Sequence, residues 1–587
     1  MREVRNEYEK RLLARRRART AHEATFRRIG TWRLLIVLAG AVLVWWNLLL
    51  LPLPVAGFIA LVIWHERVAQ RSIAERRAEA FYERGLARLD GRWPGTGPTG
   101  DHFRAPEHPY AEDLDLFGNG SVFQLISGAR TRIGEETLAR WLCERAGPEV
   151  VLERQQAIEQ LRARLDLRED LALLGDELQS GVHPEALSHW AEAPIVRFPP
   201  GAAGIAFALG ALSAAAFAGY MFHLWHWRWP LLGVLLGLAW SMTVAVRVRR
   251  VLESVEARGH DLDVLALVLE RFEQEEFASG RLAHLRRELT VGGATPSRQL
   301  ARLRRLVEYH DWTHNLGFRP IARLFVWSEQ NAMAIERWRA RFGSQVRQWL
   351  AAVGELEALS SLAGYAAEHP DDVFPALLEA GPLFDGERIA HPLIPRSAAV
   401  RNDVRLDSGR RLLVVSGSNM SGKTTLLRAV GLNAVLAWAG APVCATALRL
   451  SPLAVGAAIR VQDSVLEGKS RFYGEITRVR QIVDMAAGSA PLLFLLDEML
   501  SGTNSHDRRI GAEAILRTLV DRGALGLITT HDLALAEIAD ALATHAANVH
   551  FEDHIEEGHI AFDYRMRPGV VTRSNALALM RSVGLEV

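Results

Sequence analysis

A chain of 587 residues is long enough for several domains, and its formal net charge of +1 excludes a globally basic nucleic-acid-binding chain. Two cysteines far apart, Cys143 and Cys444, exclude a disulfide framework and a cysteine-bound metal, and they point to a reducing compartment. Charge is concentrated at one end: residues 1–33 carry ten Arg and Lys10 against four Glu. The densest part, LLARRRART (12–20), precedes an apolar stretch and reads as a cytoplasmic anchor to anionic lipid.

Residues 34–64 contain no charge. A single span needs about 20 residues, and Pro52 and Pro54 interrupt this longer stretch. The pattern predicts a transmembrane hairpin turning near 47–54. A helix and the Gly/Pro linker GRWPGTGPTG (91–100) fill 65–105. Residues 106–197 show Leu-rich helical periodicity with i,i+4 charge pairs. A second apolar pair, 201–222 and 229–246, lies within 198–247, joined by the aromatic HLWHWR expected at a membrane interface. Arg33, Arg67, Arg71, Arg197, Arg247, Arg249 and Arg250 flank the two pairs and place their outer ends in the cytoplasm. Long amphipathic helices follow over 248–380, including the Arg-rich RLAHLRRELT (281–290) and RQLARLRRLVEYH (298–310). From 381 to 587 short β-rich runs alternate with helices, the signature of a parallel sheet.

The chemistry lies in that last region. LLVV runs into GSNMSGKT (417–424), which fits G-x-x-x-x-G-K-[ST], and a helix follows. Strand, glycine-bearing turn and helix N-terminus together cradle phosphates on backbone N–H groups. Gly417, Ser418, Asn419, Met420, Ser421, Gly422, Lys423, Thr424 and Thr425 are the candidate ATP-binding residues. Lys423 would reach the β- and γ-phosphates, and Thr424 would ligate Mg2+. PLLFLLDEM (491–499) ends an apolar strand in an acidic pair: Asp497 would hold the magnesium through water, and Glu498 would orient or deprotonate the attacking water. LGLITTHD (525–532) ends another strand, placing His531 to sense the γ-phosphate.

These motifs, together with SRFYGE (470–475), GTNS (502–505), AHPLI (390–394), Asn402 and GAPVCA (440–445), resemble the MutS family of mismatch-repair-type ATPases. SRFYGE is similar to that family's STFxxE element, and the resemblance implies that Ser470 meets the γ-phosphate of a partner subunit's nucleotide. FDYRMRPGVVTRSNALALMRSVGL (562–585) resembles the dimer-linking tail. Upstream, Thr131, Gly134, Leu138, Trp141, Leu142 and Glu153-Arg154-Gln155 resemble the family's helical core. The likeness covers roughly 110–190 and 300–587. It implies an α/β P-loop ATPase domain of the ABC/MutS type, joined to a mostly α-helical core with a lever-like region over 248–380 and about four transmembrane helices in two hairpins. Residues 1–100 hold a basic tail, a hairpin and a linker, so no mismatch-reading domain with a Phe-x-Glu wedge is expected.

The resemblance implies a homodimer through the ATPase domains, with ATP closing it and hydrolysis reopening it. The apolar hairpins imply a multi-pass protein of the inner membrane with the lipid bilayer as partner and the ATPase in the cytoplasm. Two readings stay open: a membrane-tethered motor or switch acting on branched or duplex DNA, and an ATP-driven transport machine or scaffold without a nucleic-acid ligand. No LSGGQ-type signature appears, and the spans hold no ionisable residue that would mark a substrate path.

Overall fold

The computed structural model describes residues 2–47, 51–174, 184–256, 259–277, 280–289, 295–314, 318–379, 381–418, 420–460, 471–500, 502–542, 545–556 and 559–571. The chain forms two compact units. One comprises Met1–Gly128, Thr137–Glu169 and Ala358–Val587; the other comprises Ala129–Glu136 and Asp170–Glu357.

The first unit begins with a helical hairpin, α1 (Arg2–Trp46) and α2 (Pro52–Leu89). The break falls where the two prolines predict it. Gly40 and Gly85 let the helices close: a Cβ at Gly40 would lie 2.7 Å from Pro54 Cβ, and one at Gly85 only 2.5 Å from the Tyr8 ring. Trp45, Trp46, Leu53, Ile59 and Trp64 at the apolar tip are exposed. Part of the basic run pairs within the protein. Arg15 reaches the buried Glu169 at 2.8 Å, Arg16 reaches Glu83 at 2.6 Å and Arg19 reaches Glu79 at 3.1 Å. Arg11 also pairs with Glu169, at 3.2 Å. These arginines neutralise carboxylates of α2 and of the helix at Leu165–Leu173, of which the buried Glu79 and Glu169 would otherwise be desolvated without partners.

Three described helices are long and apolar enough to cross a membrane: α2, α3 (Ala202–Met221) and α4 (Arg228–Glu256), the last over Arg228–Val255. Four were expected, and the apolar residues 34–46 of α1 form the other limb of the first hairpin.

In the second unit α3 and α4 pack through small residues. Ala202, Ala206, Gly210, Ser213, Ala216 and Gly219 are buried on one face of α3, while Phe207, Phe217, Leu235 and Met242 point outward. A Cβ on Gly233 of α4 would sit 2.7 Å from Ser213 Oγ, so the backbones approach closely. The short helix α5 (Arg319–Leu324) precedes the long α6 (Trp327–Glu368). Within this unit Glu357 accepts from the backbone N–H groups of Arg130 (3.1 Å) and Thr131 (3.2 Å) and from the Thr131 hydroxyl. Burial raises its pKa to about 7. A Cβ on Gly134 would collide with this carboxylate, which explains why Thr131 and Gly134 occur at this spacing. Of the Arg-rich helices, Arg281 is held by Glu355 at 2.7 Å, whereas Arg298, Arg302 and Arg305 form one exposed stripe.

The rest of the first unit is the α/β part. A small sheet takes β1 (Ala376–Leu377), β2 (Phe384–Ile389), β3 (Asn402–Leu406) and β5 (Ala447–Leu450) in the order β1-β5-β2-β3. The large sheet takes β4 (Leu412–Ser416), β6 (Ala454–Ala458), β7 (Leu492–Leu496), β8 (Leu525–Thr530), β9 (Ala546–Glu556) and β10 (His559–Pro568) in the order β10-β9-β4-β8-β7-β6. All its neighbours are parallel except β10, antiparallel to β9 at the edge. Helices cover both faces of such a sheet, so β4, β7 and β8 are buried from end to end and read as continuous apolar runs. The core packs Leu412, Val414, Phe494, Leu496 and Ile528 against Leu516 and Leu519 of the helix Ser505–Asp521.

Candidate nucleotide site

Register decides where the chemistry sits. Ser416 of β4 pairs with Thr530 of β8, and Leu496 of β7 pairs with Ile528. The carboxyl ends of three parallel strands therefore lie side by side. The loops leaving them carry 417–424, 497–500 and 531–532. Ligands of open α/β sheets bind at this edge.

The loop after β4 leads into α7 (Lys423–Ala439). Gly417 and Gly422 have φ of +148° and +104°, which glycine adopts without strain. At Gly422 a Cβ would also lie 3.1 Å from the Tyr564 ring, so a side chain there would have to displace that ring. Lys423 is buried, and its Nζ donates to the carbonyls of Gly417 and Ser418, both at 2.7 Å. Burial lowers its pKa, and Glu498 and Asp497 oppose that shift.

Thr424 Oγ1 donates to Asp497 Oδ2 at 2.7 Å. Thr529 Oγ1 donates to Asp497 Oδ1 and accepts from the backbone N–H of Glu498 at 3.0 Å. Glu498 sits at φ +45° with its carboxylate 3.3 Å from His531 Nδ1. The loop beyond is braced from two sides: Glu475 accepts from the backbone of Leu500, and Arg508 Nε donates to Met499 O at 2.8 Å. Hard oxygen donors from Thr424 and Asp497, beside a buried lysine and a turn of backbone N–H groups, suit a magnesium–triphosphate pair.

A cavity of about 450 Å³ opens from this edge. Lys423, Thr424, Thr425 and Glu498 line one side; Ile389, Ile394, Val400 and Tyr564 line the other. The polar end suits phosphates and the apolar end suits a base. Asn402 positions Tyr564: its Nδ2 donates to Tyr564 O at 3.0 Å, and its Oδ1 accepts from Met566 N at 2.8 Å. His391, also in the lining, is pushed down to about 4 by burial and so is neutral.

The structure thus brings Gly417, Ser418, Met420, Ser421, Gly422, Lys423, Thr424, Thr425, Asp497, Glu498 and His531 to one edge. Asn419, Ser470 and nearly all of the expected dimer-linking tail lie outside the described residues. Sequence reasoning missed Thr529 and Tyr564. It also missed the segment at 113–115. Asp113 accepts from the backbone N–H groups of Ile459 and Arg460 at 2.7 Å, and Asp115 pairs with Arg428 at 2.9 Å and Arg460 at 2.5 Å. The only signal for Thr529 was its position two residues before His531 in LITTHD.

Residues 413–586 match the family model described as MutS domain V. The C-terminal part of this chain is similar to MutS domain V. MutS domain V is a P-loop ATPase domain, in agreement with the loop and acidic pair described above. Endonuclease MutS2 of Thermus thermophilus is 36% identical over 213 residues, covering 35% of this chain and 27% of that protein. DNA mismatch repair protein MutS 2 of Halobacterium salinarum is 36% identical over 261 residues, 44% of this chain and 29% of the relative. DNA mismatch repair protein MutS of Exiguobacterium sp. is 34% identical over 236 residues, 39% of this chain and 27% of the relative. The chain therefore spans under a third of the length of these curated relatives.

Proposed function

We propose that this protein is a membrane-anchored, MutS-like ATP hydrolase that works as a dimeric switch on DNA. The observation that carries the hydrolase reading is the hydrogen-bonded set Thr424–Asp497–Thr529 with Glu498, gathered at the ends of three parallel strands. Thr424 and Asp497 would hold Mg2+, which supplies charge neutralisation at the β- and γ-phosphates. Lys423 exchanges the carbonyls of Gly417 and Ser418 for phosphate oxygens. Glu498 holds the attacking water and takes its proton, with His531 orienting the carboxylate. The apolar end of the cavity, with Tyr564, takes the base. Ser470 would complete the partner subunit's site, which makes the active species a dimer.

Membrane anchoring rests on α2, α3 and α4, whose large apolar side chains face outward. Such a band is far larger than a water-soluble surface carries. Inner-membrane placement, with the ATPase in the cytoplasm, follows from the arginines flanking the apolar runs. DNA as the ligand rests on the names of the relatives and on the stripe Arg298, Arg302 and Arg305.

The test is the ATPase rate of the purified full chain in lipid nanodiscs, with linear, branched and mismatched DNA, beside Glu498→Gln. Stimulation by branched or duplex DNA, absent in Glu498→Gln, supports the reading. A rate indifferent to all DNA but sensitive to lipid composition replaces it with a membrane machine lacking a nucleic-acid ligand.

A further inference from the structure

The second unit contains a cavity of about 380 Å³ that the ATPase chemistry does not use. Ala203 and Phe207 of α3 line it, with Tyr309 and, from α6, Trp327, Asn331 and Arg337. We propose that it binds an anionic phospholipid, with the headgroup on Arg337 and an acyl chain along Ala203 and Phe207. This rests on the membrane reading above and adds a ligand to it.

The depth of the cavity follows from the way α6 and its approach run alongside α3. Near the start of the apolar helix, Glu336 accepts from Val196 N at 2.8 Å, and Arg339 donates to Ala193 O at 2.7 Å. Further along, a Cβ on Gly210 would lie 2.9 Å from Phe325 O, and one on Gly237 would lie 3.4 Å from Val326 Cγ2. Gly210 is eight residues beyond Ala202, about 12 Å along the helix. The chain at 325–326 thus lies at the level of the apolar band, and Arg337 lies where that band begins. Irregular backbone at such a depth must have its polar groups satisfied within the protein. Gln330 Nε2 does so for Phe325 O at 2.7 Å.

The walls suit an amphipathic molecule. Tyr309, Trp312, Phe318 and Trp327 form one aromatic cluster with ring centroids 5.3–5.8 Å apart. Tyrosine and tryptophan concentrate at the headgroup level of bilayers. Phe207 is 69% exposed on the outer face of α3, so the apolar wall continues into the lipid-facing surface. Arg337 is exposed; its Nε donates to Met333 O at 3.2 Å, and it has no carboxylate partner among the described residues. An apolar trough ending in the Arg337 guanidinium selects a negative headgroup over a zwitterionic one.

The experiment is native mass spectrometry of the delipidated full chain titrated with phosphatidylglycerol or phosphatidylcholine. It is run on the wild type, Arg337→Gln, Ala203→Trp, Phe207→Ala and the control Arg250→Gln. The wild type and the control should retain phosphatidylglycerol at least tenfold more than phosphatidylcholine. Arg337→Gln should bring that ratio close to one. Ala203→Trp, which fills the trough, and Phe207→Ala, which strips its wall without filling it, should lose bound lipid of both kinds. Equal retention of the two lipids by the wild type, or wild-type retention by all three cavity variants, overturns the proposal. Alkaline extraction of native membranes separates the two readings. A chain that resists extraction but shows no lipid preference loses only this site; a chain washed off by alkali loses the membrane reading, and the site with it.

Discussion

Thr424 Oγ1 donates to one oxygen of Asp497 at 2.7 Å, while the other oxygen of Asp497 accepts from Thr529 Oγ1. Residues from three strand ends thus fix the carboxylate before any ligand arrives. A preorganised carboxylate loses little entropy when it takes up a cation. Thr529→Val leaves the sheet apolar and removes both this donor and the acceptor for Glu498 N. Magnesium-dependent ATP hydrolysis should fall about 10- to 100-fold, with the half-saturating magnesium concentration rising about 10-fold. Steady-state rates across a magnesium titration check this, and unchanged magnesium dependence would remove Thr529 from the site.

Glu498 stands apart from the cation ligands, with its backbone at φ +45° and its carboxylate beside His531. Glu498→Gln keeps the shape and removes the base. Turnover should drop at least 100-fold while nucleotide affinity changes less than threefold. Single-turnover hydrolysis and nucleotide binding by calorimetry separate these effects. A parallel loss of binding would mean that the carboxylate serves the ground state instead.

Much of this site was legible because its parts are local. Strand, loop and helix around 417–424 occupy one short run, and the acidic pair ends its own strand. What could not be read was partnership across the chain. Nothing within LLARRRART shows that Glu169, Glu79 and Glu83, distant in sequence, receive Arg15, Arg19 and Arg16. The Thr131–Gly134 spacing is a pattern without a cause until the buried Glu357 supplies one. Asp113 and Asp115 look like ordinary loop acids, yet they hold the end of β6 and Arg428 of α7. The first hairpin was legible as a break at the prolines.

Buried histidines give the first unit a predictable acid limb. Burial holds His391 at about 4 and His369 at about 3, against an ordinary value of 6.5. Above pH 6.5 both states leave them neutral and stability does not depend on them. As pH falls from 6.5 towards 4, the unfolded chain takes up two protons that the folded chain refuses, so stability is lost. Asp372 opposes this: burial raises it to about 6, so the folded chain takes up one proton there that the unfolded chain does not. His391 alone contributes about one proton, a slope of about 1.4 kcal/mol per pH unit between pH 6 and 4. His391→Asn keeps an acceptor for the Leu393 N–H, which His391 Nδ1 now receives at 3.2 Å, and removes the titration. Unfolding free energies measured across this range should differ in slope between that variant and the wild type by about this amount, and an unchanged slope would mean that His391 is protonated in the folded protein.

Where α2 ends, Arg88 makes a two-pronged contact with Glu368: Nε and one terminal nitrogen each lie 2.6 Å from a carboxylate oxygen. Glu368 is only 1% exposed and closes α6, and Tyr8 Oη of α1 donates to it at 3.4 Å. The N-terminal hairpin is thereby fastened to the segment that leads into the small sheet. Arg88→Met would leave a desolvated carboxylate with only the tyrosine hydroxyl and should cost about 3–5 kcal/mol. Glu368→Met added to it removes the orphaned charge and should recover most of that loss, because a buried ion pair and its apolar replacement differ little in net stability. Denaturant unfolding of the two single variants and the double variant gives the coupling directly. A double variant no better than Arg88→Met would mean that the contact stabilises by shape at the helix ends and not by charge.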